Sequence, residues 1–427
     1  MSILVTLIVL LALLAIGLPV ALSLGLSGAL GLWLVGGSQM MLGILATAPG
    51  SALGSYELLT IPMFLLMAEF MVASRISNTL FDAIACWTAR LRGGLGIATA
   101  ITGAAFGAIS GSSTAAAATL STSSVPSMIR QGYETRFATG IVAISGTLAM
   151  LIPPSIAIIF YGLLSGTDVG KLLIAGLVPG ILVTLTVVLT IRYLIWRKPE
   201  LSPRRGHTTW SEKIASLRVA GPFIGLFILV TGSIYLGAAT PVEASALGAM
   251  GALLLTFASG HMTRQVLVTA LRNALATSAM IGFIIVCGSF LGYFLTITGA
   301  TRSLVSWVAD SSIPPHVVLL LVILLYIVLG CFLDQLSILI LTVPIIHPLM
   351  VSLGFDAIWF GILIILLAEI GMVTPPVGLN LFVVSRTTGT PVDDIMIGVF
   401  PHVVAHLLLI AVIVIFPQIV LWLPNSM

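Results

Sequence analysis

Apolar positions run through this chain almost without interruption. Stretches at 3–16, 20–35, 219–236, 244–258, 316–333 and 403–424 approach or meet the ~20 mostly apolar residues that a helix needs to cross a bilayer. The pattern predicts an all-α polytopic membrane protein with roughly ten or more crossings. The first stretch has no basic residue ahead of it and no small-residue cleavage site behind it, so it reads as a retained helix.

Composition sharpens this picture. Hydrophobic residues make up 59% of 427 positions and charged residues 7%, a balance that suits a lipid-embedded bundle and no soluble domain of this size. Cys86, Cys287 and Cys331 stand singly in apolar surroundings and read as small hydrophobes. Charge is unevenly spread: Arg192, Arg197, Lys198, Arg204, Arg205, Lys213 and Arg218 put 7 of the 17 cations into one window, which should be cytoplasmic. Anchoring to lipid headgroups would be compatible with the same orientation. The next two apolar runs are joined by a turn around Thr240, Pro241 and Glu243, and the chain then meets His261, Arg264 and Arg272, as a return to the cytoplasm requires.

Residues 197–217 hold Pro199, Pro203 and Gly206 with most of that charge and form the one credible linker, between a first half at 1–196 and a second half at 218–427. The halves share punctuation. Gly132-Tyr133, Pro153-Pro154 and Ala175 to Pro179 recur as Gly354-Phe355, Pro375-Pro376 and Ile397 to Pro401, with one offset of 222 (354 − 132, 376 − 154, 401 − 179). Pro126 pairs with Pro344 at 218, which implies a loop about four residues shorter in the second copy. An internal repeat in a membrane protein is a transporter signature, with solute and ion sites at the repeat interface.

Candidate chemistry sits at the breaks. Ser and Thr fill nine of the fifteen positions from Ser110 to Ser124, around Ser110-Gly111-Ser112-Ser113-Thr114, which predicts a re-entrant hairpin with its tip near Ser112; a tightly packed helix with a small-residue interface is the alternative. Each proline pair removes amide donors inside an apolar segment, so Pro153-Pro154 should free the carbonyls of Ala149 and Met150, and Pro375-Pro376 those of Gly371 and Met372. Such oxygens beside hydroxyls are hard ligands suited to an alkali cation; a structural kink is the alternative. Asp334, with no other Asp, Glu, Lys or Arg between Asp310 and Asp356, is expected to need a bound cation to offset an unpaired carboxylate. Glu69 and Glu369 are either proton carriers or carboxylates hydrogen-bonded between helices.

At these residues the chain resembles the large membrane subunit of tripartite ATP-independent periplasmic (TRAP) transporters. The matching text is Ser110 to Thr114, Pro126 with Arg130 to Tyr133, Gly146-Thr147 through Ser155, then Asp334, Pro344, Gly354, Glu369 and Thr374 to Asn380. The resemblance implies an inverted-repeat, elevator-type fold with two re-entrant hairpins and broken transmembrane helices in a bacterial inner membrane. It also implies a Na⁺ gradient as driving force, with no other cofactor, and import of a small organic acid such as a dicarboxylate or sialic acid. One Na⁺ site would fall at Ser110, Ser112, Ser113, Gly146, Ala149 and Leu151, the other at Gly330, Asp334, Gly371, Val373 and Thr374, with the substrate near Ser112, Ser113 and Asn380. The expected partners are a periplasmic substrate-binding protein and a four-helix small subunit, separate because the large-subunit pattern begins at Met1.

Two rival readings bound this one. A divalent-anion or arsenite-type transporter would work without a binding protein. A membrane enzyme would call for a ligand or triad cluster, and the histidines offer only His402 and His406 at helical spacing, with Asp393 and Asp394 the nearest carboxylates. No nucleotide-binding Gly-x-x-x-x-Gly-Lys motif is present, in keeping with secondary transport.

Overall fold

The computed structural model describes residues 1–74, 76–202, 208–311 and 313–426. Of the basic window, Arg204 and Arg205, and of the linker Pro203, Gly206 and His207, lie outside the described residues.

Helices account for nearly all of it. The first half contains α1 (Ser2–Ala15), α2 (Val20–Leu53), α3 (Thr60–Ala73), α4 (Ile76–Thr88), α5 (Gly94–Ser110), α6 (Ser113–Arg130), α7 (Thr135–Thr147), α8 (Ile156–Ser165) and α9 (Val169–Arg197). The second contains α10 (Trp210–Tyr235), α11 (Pro241–Ala258), α12 (Arg264–Thr298), α13 (Ala300–Asp310), α14 (Pro315–Phe332), α15 (Gln335–Ser352), α16 (Ala357–Gly371), α17 (Leu379–Thr388), α18 (Val392–Ile415) and α19 (Gln418–Leu421). Because α10 begins at Trp210, residues 210–217 of the expected linker are helical, under a capping box in which Thr209 and Glu212 bond each other's backbone.

Among the described residues eight helices are long and apolar enough to cross a membrane, or nine if the two arms of α10, bent by 48°, form one span. The sequence pattern predicts more, because it also counts apolar stretches that fold into shorter pieces: Ser2–Ala15, Gly94–Gly107, Ile156–Ser165 and Ala357–Gly371. At 1.5 Å per residue, the 10 residues of α8 span about 15 Å, half a hydrocarbon core. In α9 the residues Ile181, Leu185, Leu189 and Tyr193, spaced by four, are exposed, whereas Val183, Val187, Ile191 and Ile195 are buried. An apolar helix with one exposed face needs lipid around it.

The repeat is visible in helix boundaries. The starts of α6 and α15 are 222 residues apart, as are those of α7 and α16; those of α8 and α17 differ by 223. Lengths match too, at 18 residues for α6 and α15 and 10 for α8 and α17. Since α15 is no shorter than α6, the pairing of Pro126 with Pro344 is corrected: Pro348 lies 222 residues after Pro126, and both are fourteenth in their helices.

Packing does not follow the halves. One bundle joins α1, α2, α3 and α4 to α10, α11 and α12, with α2 along α12, α3 along α11 and α4 along α10. The other joins two hairpins, α5–α6 and α14–α15, to the interrupted helices α7–α8 and α16–α17 and to α9 and α18. Each hairpin packs on the interrupted helix of its own half and also reaches across, α6 onto α17 and α15 onto α8. Their open ends lie at opposite ends of α9. Gly93, before α5, packs on Ile195 and donates its N–H to Ser202 Oγ (3.1 Å), whereas the Ala357 carbonyl, after α15, accepts from Tyr161 Oη (2.7 Å) close to where α8 hands over to α9.

Candidate solute and ion site at two hairpin tips

The first tip is where the Gly-Ser run places it. Helix α5 stops at Ser110, Gly111 turns the chain in the left-handed region (φ 55°), and Ser112 is extended and caps α6 by accepting from the Ala115 N–H (3.4 Å). Ser110 Oγ donates to the Ser112 carbonyl (3.5 Å). Deeper in α6 the hydroxyls of Ser121, Thr122, Ser123 and Ser127 bond carbonyls three or four residues back, so that part of the Ser/Thr richness serves the helix itself.

The second tip keeps the register of the first with a different turn and other chemistry. Leu333 is extended and Asp334, 222 residues after Ser112, caps α15: its Oδ2 accepts from the Ser337 N–H (3.2 Å) and its Oδ1 from Ser337 Oγ. Asp334 is exposed and doubly partnered. The expectation of an unpaired carboxylate is therefore corrected, because a polar residue at a tip meets the free amides of its own helix.

Both Pro-Pro bonds are cis, and both interrupt a helix. The carbonyls they deprive of helical donors mostly find others. Met150 O accepts from Ser155 Oγ, which also caps α8 (Ile158 N–H, 3.3 Å). Gly371 O accepts from the Thr374 N–H (3.0 Å), and Met372 O from the Asn380 N–H (3.1 Å). These oxygens are thus bonded rather than free, each with one lone pair left for a ligand.

Each break is pressed against its tip. A Cβ on Gly107 would fall 2.2 Å from Ala149 Cα, one on Gly111 2.9 Å from Ile156 Cγ1, and one on Gly146 2.7 Å from Ala117 Cβ. In the second copy a Cβ on Gly371 would fall 2.4 Å from Gly330 Cα, and Gly378 donates its N–H to the Cys331 carbonyl (3.1 Å). The tip residues Ser110, Ser112 and Ser113 thereby sit beside the break containing Gly146, Ala149 and Leu151. Gly330 and Asp334 likewise sit beside Gly371, Val373 and Thr374. The copies meet where Ser113 Oγ donates to Asn380 Oδ1 (3.3 Å) and lies 3.6 Å from Met372 Sδ.

Other polar groups fall elsewhere. Glu69 accepts from Asn273 Nδ2 (3.0 Å) across α3 and α12, the interhelical alternative. Glu369 is buried, and neither of its carboxylate oxygens has a hydrogen-bond partner among the described residues. His402 and His406 are buried on α18, with His406 Nδ1 3.0 Å from the His402 carbonyl. Among the described residues no three His, Cys, Asp or Glu side chains are grouped to hold a metal. Two adjoining cavities, of about 600 and 470 Å³, lie between the bundles and share Ala52, Ser55, Leu163, Leu164 and Ile285. One buried polar residue at the second tip was missed by the sequence pattern: Gln335, 1% exposed, holds the register of Ser113, which a 218-residue offset concealed.

The sequence model described as tripartite ATP-independent periplasmic transporter, DctM component, matches residues 7–419. The chain is 36% identical over 404 residues to the C4-dicarboxylate TRAP transporter large permease protein DctM of Pseudomonas aeruginosa, covering 94% of each. It is 31% identical to the sialic acid TRAP transporter large permease protein SiaM of Vibrio cholerae, over 91% of this chain and 89% of that one. It is 30% identical to the 2,3-diketo-L-gulonate TRAP transporter large permease protein YiaN of Escherichia coli, over 99% and 98%. The crystal structure of the YdaH transporter of Alcanivorax borkumensis is similar in fold alone, with a TM-score of 0.57 and 16% identity over 92% of this chain and 90% of that one. With its whole helical core matched in this way, the chain belongs to the DctM family of TRAP transporters, as a multi-pass large permease and not an enzyme.

Proposed function

We propose that this permease imports a small organic acid across a bacterial inner membrane, coupled to Na⁺ and by an elevator movement of the hairpin bundle against the other bundle. The observation that carries the reading is the pairing of each hairpin tip with a helix break, twice, at one register. Carbonyls and hydroxyls converge there, hard oxygens that suit Na⁺. Na⁺ would bind at Ser110, Ser112, Ser113, Gly146, Ala149 and Leu151, and again at Gly330, Asp334, Gly371, Val373 and Thr374. Hairpins whose open ends lie at opposite ends of α9 fit an inverted repeat, and the cavities between the bundles fit a sliding seam.

The substrate class follows relatives named for C4-dicarboxylate, sialic acid and 2,3-diketo-L-gulonate. A tripartite system adds a periplasmic binding protein and a small membrane subunit. A relative of Oleidesulfovibrio alaskensis named isethionate TRAP transporter permease protein DctMQ matches over only 64% of its own length, which leaves room in that protein for a further membrane portion and supports a small-subunit partner.

In proteoliposomes holding the permease with both partners, uptake of the acid is expected only under an inward Na⁺ gradient. Equal uptake with K⁺ in place of Na⁺ would sink the coupling, and full uptake by the permease alone would sink the assembly.

A further inference from the structure

The two helix breaks differ in how they are covered. At the first, Leu151, Ile152 and Pro153 are buried, because α9 lies directly on them: a Cβ on Gly176 would fall 2.7 Å from the Leu151 carbonyl oxygen, and one on Gly180 2.8 Å from Ile152 Cγ1. At the second, 222 residues on, His402 stands where the first copy has Gly180, and Thr374 where it has Ile152. A side chain in place of that glycine keeps α18 from closing on the break, and a shorter side chain at the break leaves the space unfilled. The result is a groove of about 420 Å³ between Val373, Thr374 and Pro375 on one side and Ile397, Phe400 and Val403 of α18 on the other.

Nothing in the groove asks for a polar ligand. Its walls hold no charged group, and their one side-chain hydroxyl, Thr374 Oγ1, already donates to the Ile370 carbonyl (2.6 Å). The mouth opens on the outer side of α18, where Ile397 (57% exposed) and Phe400 (64%) continue through Val404, Leu408 and Ile415 as one exposed apolar strip. In a multi-pass permease such a strip meets lipid. Depth agrees. The Arg136–Asp394 ion pair (2.8 Å), partly exposed where α7 and α18 begin, marks the headgroup level, since exposed charge belongs in water and not in hydrocarbon. At 1.5 Å per residue along α18, Ile397 and Val403 follow about 5 and 14 Å further in, among the upper methylenes of an acyl chain.

We infer that the groove is a binding site for one acyl chain of a membrane phospholipid, taken from the leaflet on the side of the α6–α7 turn. The chain does at the second break what Ile152 does at the first, covering the backbone interrupted by Pro375-Pro376 with apolar contact that an empty groove forfeits. A phospholipid seated between α18 and the break has walls on two sides, whereas lipid along a convex helix face has one. The groove lipid is therefore a ligand with a fixed place and leaves more slowly than its neighbours.

The test uses the purified permease with its small subunit, loaded with a phosphatidylethanolamine that carries a diazirine in the upper part of one acyl chain. The sample is irradiated before or after stripping with excess detergent, and adducts are located by peptide mass spectrometry. Before stripping, adducts are expected in the groove, at Val373 and Val403, and on the open apolar face of α9, at the exposed Leu189, which lies about 12 Å along the helix from Arg197 and so at a similar depth. After stripping, the groove adducts are expected to persist and those on α9 to be lost. Val403→Trp, whose indole fills the groove, is expected to abolish the adduct at Val373 while leaving that at Leu189. Groove and α9 adducts that vanish together overturn the inference, as does an absent groove adduct before stripping or a Val373 adduct that survives Val403→Trp. Should that variant fail to assemble, the parent's pattern before and after stripping decides by itself. Neither acid nor Na⁺ gradient enters these measurements, so their failure leaves the transport reading standing, and failure of that reading leaves the lipid site standing.

Discussion

The two hairpin tips share a register and an extended cap residue, and differ in the turn before the cap and in almost every side chain. At the first, Gly111 turns the chain and the cap is Ser112, a neutral hydroxyl. At the second, Leu333 is extended and the cap is the carboxylate Asp334. Behind the first cap, Ser113 is bonded across the molecule; behind the second, Gln335 has no partner among the described residues. A repeat thus supplies matched geometry at no cost in specificity. Single substitutions on one side then turn matched tips into different ones, and the charge lies with the second.

The comparison breaks most severely where a hairpin is packed backbone to backbone against its helix break. The second copy places glycine against glycine, and a side chain on Gly371 would meet the Gly330 backbone, which has no rotamer with which to yield. Gly371→Val is expected to destabilise the permease by ~3 kcal/mol, seen as a lower melting temperature in detergent, and to abolish uptake. A parent-like melting curve would mean that α14 and α16 separate easily and that the contact is not part of the site.

A smaller effect tests whether charge separates the tips. Asp334→Asn retains a cap acceptor of equal rank, so folding should stay within ~0.5 kcal/mol of the parent. If Asp334 also touches Na⁺, the Na⁺ concentration for half-maximal uptake should rise about tenfold for each ~1.4 kcal/mol of interaction lost. An overlaid Na⁺ titration would leave Asp334 a helix cap only, the counterpart of Ser112 in role as well as register.

The smallest expected effect is at the bond joining the copies. Ser113→Ala removes one neutral hydrogen bond and should cost ~1 kcal/mol, measured as chemical or thermal stability of the purified complex. No change in stability would show that Asn380 finds another partner and that the tips are not coupled through it.

Much of this was legible in the residues. Gly111, the Ser112 cap and the Pro-Pro pairs act through backbone rules that operate within four residues, so the first tip, the two breaks and the 222-residue repeat could be read before any packing was known. Asp334 was found for the wrong reason: its isolation in the sequence suggested an orphan charge, whereas Ser337, three residues on, supplies two donors. The Pro344 register failed because two prolines, Pro344 and Pro348, compete in one helix; the 222-residue offset of the other landmarks points to Pro348, and the equal helix lengths settle it.

What the sequence by itself determined was the membrane, the helices, the repeat and the places where helices stop, all set by local hydrophobicity, proline and glycine. Only the tertiary structure decided which polar groups are satisfied. Ser113 and Asn380 are 267 residues apart in the chain, and the Cys331 carbonyl meets Gly378 across a break. Whether a buried amide is bonded depends on such long-range neighbours, so Gln335 looked ordinary in the sequence and stands out in the fold.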